Sequence, residues 1–73
     1  MWIIKKDGSA INSDCLIGIS KMDNKIIALA ADVGRIKIVE YESEKAAEIE
    51  YLNIISALEQ GDRSYYVNGG PWA

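Results

Sequence analysis

Residues 16–31 read LIGISKMDNKIIALAA, and this stretch decides the fold. Two apolar runs, residues 16–19 and 26–31, flank Asp23-Asn24, a pair suited to a two-residue hairpin turn. Side chains alternate between the two faces of a strand, so a half-exposed strand alternates apolar and polar residues. Neither run alternates in this way. The pattern therefore predicts two paired strands with apolar side chains on both faces of a sheet.

A shorter hairpin precedes this stretch. Residues 2–5 and 10–12 are strand-like, and the Asp7-Gly8 pair between them favours the positive φ angles of a tight turn. Trp2 is expected in the core or as cover for a sheet edge, and the alternative is a binding residue. The hairpin adds two strands to the predicted sheet.

The last clear strand covers residues 35–41 and follows a turn with Gly34 in the left-handed position. Ile36 and Ile38 share one face of this strand. Val39 and Tyr41 share the other face, because side chains alternate between the two faces along a strand. The sequence therefore predicts either a bulge near Ile38 or cover on both faces.

One helix follows the strands. Ser43 is a good N-cap, residues 44–60 are helical in pattern, and Gly61 is a typical residue at a helix C-terminus. The apolar stripe expected to face the sheet consists of Ala47, Tyr51, Ile54, Ile55 and Leu58. These elements predict an α+β fold, an antiparallel β-meander of four to six strands with one C-terminal helix packed on one face. We expect residues 1–61 to form this single domain.

A single helix covers one face of a small sheet, so the other apolar face needs a second cover. Another copy of the chain or a bound partner supplies it most simply, which predicts a homodimer or a higher homo-oligomer. Ile49 and Leu52 lie off the inward stripe of the helix. We therefore expect both residues to belong to an interface.

Residues 62–73 form an aromatic C-terminal tail or a short edge strand. The aromatic residues of this segment are Tyr65, Tyr66 and Trp72. Tyrosine and tryptophan are enriched at binding hot spots, so the three are interface candidates. The alternative is that the tail folds back over the edge of its own sheet.

The residue types present restrict the chemistry available to the chain. It has 73 residues, a formal net charge of −3, one cysteine and no histidine. Cys15 lacks a histidine to activate it and is expected to be a small buried hydrophobe. No catalytic site, metal site or cofactor is predicted. The negative charge disfavours nucleic acid as a partner, and the absence of a spanning segment and the unpaired thiol predict a cytoplasmic protein that is not in a membrane.

A family resemblance extends this picture. The opening Trp2-Ile3-Ile4 with Asp7-Gly8, the bend at residues 11–14, and residues 41–44 leading into a helix that ends at residues 57–61 resemble small uncharacterised phage and prophage proteins of Gram-positive bacteria. The resemblance implies a mobile-element protein that modulates a host process by binding. We expect a non-enzymatic protein that blocks or sequesters a host component, such as a component of host defence. The alternatives are an oligomeric sponge for a nucleotide-like small molecule and a small regulator that contacts nucleic acid.

Overall fold

The structure is a computed structural model and describes residues 1–69. It confirms the predicted α+β fold, with six strands in two three-stranded sheets and one long helix. The strands are β1 (Trp2–Ile4), β2 (Ala10–Asn12), β3 (Leu16–Met22), β4 (Lys25–Ala30), β5 (Gly34–Glu40) and β6 (Ser64–Tyr66). The helix α1 spans Glu44–Gln60, and short 3-10 turns cover Ser13–Cys15 and Val67–Gly69.

The second sheet is the predicted meander, in the order β3-β4-β5. Asp23 in the first turn and Gly34 after the second turn have positive φ angles of 56° and 78°. Ile26 pairs with Val39 and Ile27 pairs with Lys37, so Ile38 is the extra residue of a bulge. The predicted bulge near Ile38 is therefore confirmed.

The first sheet has the order β2-β1-β6 and joins the two ends of the described chain. β1 pairs with β2 in antiparallel fashion and with β6 in parallel. The Trp2 N–H donates to the Arg63 carbonyl at 2.8 Å at the start of the parallel pair. Residues 64–66 of the predicted tail thus form an edge strand. The predicted meander did not include this parallel pair, nor the division of the strands into two sheets.

The helix begins and ends where the sequence predicts. The Ser43 side chain accepts a hydrogen bond from the Ala46 N–H at 3.1 Å, which satisfies an otherwise unpaired donor of the first turn. Gly61 has a φ of 74°, and its N–H donates to the Leu58 carbonyl at 3.2 Å. The left-handed glycine ends the helix and turns the chain toward β6.

The core lies between the helix, the second sheet and the inward face of β1. Its fully or nearly fully buried members are Ile3, Ile26, Ala28, Ile38, Ile54 and Val67. Ile3 comes from β1 and Val67 from the turn after β6, so the first sheet closes one side of the core. Both sheets and the helix therefore share one hydrophobic core.

The apolar run of β4 is largely covered within the single chain, while the predicted homo-oligomer stays a prediction. Ile27 points away from the core, yet it is only 9% exposed in the single chain. Its cross-strand neighbours are Ser20 and Lys37, and a lysine stem can lie along apolar surface while its charge stays in water. In β3 the outcome differs, because Ile17 is the extra residue of a second bulge and is 74% exposed.

Candidate functional site

The predicted interface residues occupy three different places in the structure. Ile49 and Leu52 lie on the outer face of α1 and are 54% and 57% exposed. Tyr65 is half-buried and packs against the core, whereas Tyr66, its neighbour in β6, is exposed. Trp72 lies outside the described residues. Of the predicted interface residues within residues 1–69, Ile49 and Tyr65 line a common pocket.

The outward face of the first sheet carries an apolar patch. Ile3 points into the core, so Trp2 and Ile4 on either side of it point outward. Ile4 pairs with Tyr66 on one side and with Ala10 on the other. We call Trp2, Ile4, Ala10 and Tyr66 the sheet patch. The expectation that Trp2 lies in the core or covers an edge is wrong, because the side chain is 51% exposed on this face.

The other strand residues on this face of the first sheet are uncharged. The two remaining outward residues are Asn12 and Ser64, which pair with Trp2 from either side. When one face of a sheet is in contact with water, the side chains on that face are normally polar or charged. The outward face of the first sheet is unusual because it carries large apolar residues and no charge. The patch is therefore suited to contact with another apolar surface.

A buried carboxylate forms a second feature that the sequence analysis did not foresee. Glu50 on α1 is only 6% exposed. Its Oε1 accepts hydrogen bonds from the Tyr41 hydroxyl at 2.8 Å and from the Asn68 N–H at 2.6 Å, and its Oε2 accepts one from the Tyr65 hydroxyl. We call these four residues the Glu50 cluster. Its three donors satisfy the carboxylate inside the protein.

The Glu50 cluster joins segments that are distant in sequence. Tyr41 precedes the helix, and Tyr65 and Asn68 follow it. The Glu50 side chain therefore binds both the segment before α1 and the segment after it. Burial, and then the hydrogen bond to Glu50, raise the pKa of Tyr41 and of Tyr65 well above the ordinary tyrosine value. Both hydroxyls therefore stay protonated and donate to the carboxylate at neutral pH.

An open pocket of about 390 Å³ lies beside the Glu50 cluster. The cluster forms one wall, and Ala46, Ile49 and Asn53 of α1 form the rest. The lining contains a carboxylate but neither lysine nor arginine. A phosphate group would meet negative charge without a compensating cation, so this pocket disfavours nucleotides.

A second pocket, of about 350 Å³, lies between the β1–β2 turn and β5. Lys5, Lys6 and Lys37 line it together with Asp7 and Glu40. Lys37 is paired with Glu40 at 3.2 Å, and the acidic residues offset most of the positive charge. The lysines here are better explained as solvated residues of a turn and an edge strand than as an anion site.

The remaining chemical candidates do not assemble into a site. Cys15 lies in the short 3-10 turn before β3 and is exposed, so the expectation that it is buried is wrong. Among residues 1–69, no three acidic or cysteine side chains come together as a metal-binding group. In the same range, no helix is long and apolar enough to cross a bilayer.

Comparison of the chain with protein families, with curated proteins and with solved structures gives no match. The resemblance to phage proteins therefore rests on the sequence pattern alone. The geometry of the described residues supports two features that can act on other molecules, the sheet patch and the outer face of α1.

Proposed function

We propose that this chain is a small non-enzymatic binding protein that blocks or sequesters a protein of a host cell, and that the sheet patch is its docking surface. One observation supports this most directly. Trp2, Ile4 and Tyr66 lie side by side on an uncharged sheet face that the core does not use. Exposed aromatic residues of this kind dominate the energetics of protein interfaces.

The chemistry of the patch favours a protein partner over a nucleic acid. Binding to nucleic acid depends on lysine and arginine contacts to phosphates, and the outward face of the first sheet has neither residue. The formal net charge of −3 opposes approach to a polyanion as well. A protein surface with an apolar pocket and a neutral or basic rim fits these properties.

The class of partner follows from the resemblance to phage and prophage proteins. Such proteins act inside a bacterial cell, so a host component is the partner class that we propose. The identity of that component is the subject of the experiment.

The test is a comparative capture from a lysate of a Gram-positive bacterium. The tagged wild-type chain, the Trp2→Ser variant, the Trp2→Ser/Tyr66→Ser variant and a Val33→Ser control are compared by quantitative mass spectrometry. Val33 is an exposed apolar residue in the β4–β5 turn, remote in sequence from the patch. We expect at least one host protein whose recovery falls about tenfold or more in both patch variants and not in the control.

The captured protein is then purified and titrated with the wild-type chain. Loss of its activity on binding, with the same dependence on Trp2, is the expected result. Circular dichroism verifies that each variant is folded. If every captured protein is retained equally by the patch variants, the sheet patch is not the docking surface and the proposal fails.

A nucleotide-like sponge is the weaker candidate. The 390 Å³ pocket is large enough for a small ligand, but its lining includes the Glu50 carboxylate and neither lysine nor arginine, and the Tyr65 hydroxyl is already bound to Glu50. A thermal-shift screen with nucleotides separates the two candidates. A rise in Tm with any nucleotide favours the sponge, whereas unchanged melting favours the binding protein.

A further inference from the structure

The outer face of α1 has a regular pattern. Five exposed positions follow each other at spacings of four, three, four and three residues: Lys45, Ile49, Leu52, Ser56 and Glu59. This is the spacing of the a and d positions of a coiled coil, which places all five in one line along the helix. We call this line the helix seam.

The two ends of the helix seam carry opposite charges, so two copies of it in antiparallel orientation match each other. Its N-terminal end is the basic Lys45, its C-terminal end is the acidic Glu59, and its centre is the apolar Leu52. Lys45 and Glu59 each lie seven residues from Leu52. Within residues 1–69, neither charge takes part in an ion pair of its own chain.

We propose that the helix seam binds the helix seam of a second copy of this chain in antiparallel orientation, with a two-fold axis beside Leu52. In this arrangement Leu52 meets Leu52 of the second copy. Lys45 of each copy lies beside Glu59 of the other, which forms two ion pairs. Ile49 packs next to Ser56 of the second copy, a bulky residue against a small one.

Charge decides the orientation of the two helices. In a parallel pair, Lys45 would face Lys45 and Glu59 would face Glu59, and like charges at close range are destabilising. In the antiparallel pair both ends are matched. An interface built on a two-fold axis must present one patch that complements itself, and the helix seam does so.

The expected dimer is weak. A helix of 17 residues is about 25 Å long, and one face of it buries less than the roughly 800 Å² per partner of a standard interface. We therefore expect a dissociation constant in the micromolar range or above, with monomer and dimer in exchange. The sheet patch lies on a different element, so this inference does not depend on the proposed function.

Sedimentation of the purified full chain from about 10 μM to 1 mM tests the inference. The wild type is expected to shift from monomer to dimer over this range. Leu52→Lys places two like charges at the axis and is expected to weaken association by about tenfold or more. Ile17→Ser, which removes an exposed apolar residue on the second sheet, is the matched control and should leave the dissociation constant unchanged.

A charge exchange tests the orientation. Lys45→Glu and Glu59→Lys each turn both ion pairs into like-charge contacts, and each is expected to weaken association by about three- to tenfold. The double variant Lys45→Glu/Glu59→Lys restores opposite charges and is expected to return to the wild-type value. All of these positions are exposed, so circular dichroism should show unchanged folding.

Three outcomes overturn the inference. The first is a wild-type chain that stays monomeric at 1 mM. The second is a double variant that remains as weak as the single variants, which excludes the antiparallel seam. The third is a Leu52→Lys variant that associates as strongly as the wild type, because Leu52 then does not lie at the axis of the dimer.

Discussion

Replacing Glu50 with glutamine measures how much the Glu50 cluster stabilises the fold. The carboxylate accepts three hydrogen bonds, two of them at Oε1 and one at Oε2. Glutamine keeps one acceptor oxygen but brings an NH₂ group to the other position, opposite the Tyr65 hydroxyl. Hydrogen bonds to a charged group contribute about 1.5–3 kcal/mol and neutral ones about 0.5–1.5 kcal/mol. Removing the buried charge recovers part of this loss, since a buried carboxylate is costly to desolvate.

The expected net result is a loss of about 1–2 kcal/mol in the free energy of unfolding. For a domain of this size it lowers Tm by roughly 4–16 °C, because each kcal/mol corresponds to about 4–8 °C. Urea and thermal unfolding followed by circular dichroism measure both quantities. Glu48→Gln is the matched control: Glu48 is exposed on the same helix, and its substitution should change stability by no more than about 0.5 kcal/mol. Equal stability of Glu50→Gln and the control would refute the view that the cluster holds the chain ends to α1.

Three further predictions concern pH, the helix terminus and the core. Burial and Glu50 raise the pKa of Tyr41 and Tyr65 in the folded state. As pH rises, the two hydroxyls therefore lose their protons at a lower pH in the unfolded chain than in the folded chain. The contribution of these two tyrosines to the free energy of unfolding should be constant up to about pH 9 and fall as pH rises through the ordinary tyrosine pKa of about 10 toward the raised folded value. Tyr65→Phe should flatten this decline in urea titrations, and an unchanged slope contradicts the reasoning. Gly61→Ala should cost about 1–2 kcal/mol because of its φ of 74°, although a Cβ there meets no atom within 4 Å. Gly18 has no positive φ, and a Cβ added there also meets no atom within 4 Å. Gly18→Ala should therefore cost little stability in the same unfolding assay. Ile54→Ala removes a fully buried side chain and should cost about 2–5 kcal/mol, as much as the whole core of a chain this small supplies, whereas Ile54→Val should stay folded. Equal free energies of unfolding of Ile54→Ala and Ile54→Val would contradict this estimate.

Local signals explain why the helix and the second sheet were predictable. Ser43, Gly34 and Gly61 each occupy a backbone position that few other residue types fill well, so sequence alone identifies the turn or terminus. The bulge at Ile38 was visible because a run of apolar residues changed its alternation within one strand. In each case the determinant lies within a few residues of the feature itself.

The first sheet and the Glu50 cluster had no comparable local signal. β1 and β6 have three residues each and lie about sixty positions apart in the sequence, so their parallel pairing depends on how α1 docks. Glu50 is three residues after Ala47 and four before Ile54, which places it within the buried stripe of the helix. That spacing could have identified it as buried. Its partners Tyr65 and Asn68, however, come from a segment whose position only the folded structure shows.

The sheet edges limit the ways in which another protein can bind. Among residues 1–69, the edge strands are β2 and β6 of the first sheet and β3 and β5 of the second. β2 and β6 are only three residues long, and β3 contains the bulge at Ile17. β5 contains the bulge at Ile38 and the exposed basic residues Arg35 and Lys37. Short edge strands, bulges and lysines all oppose the addition of a further strand. We therefore expect a partner to contact a face of the protein, and the sheet patch and the centre of the helix seam are two faces whose residues carry no charge.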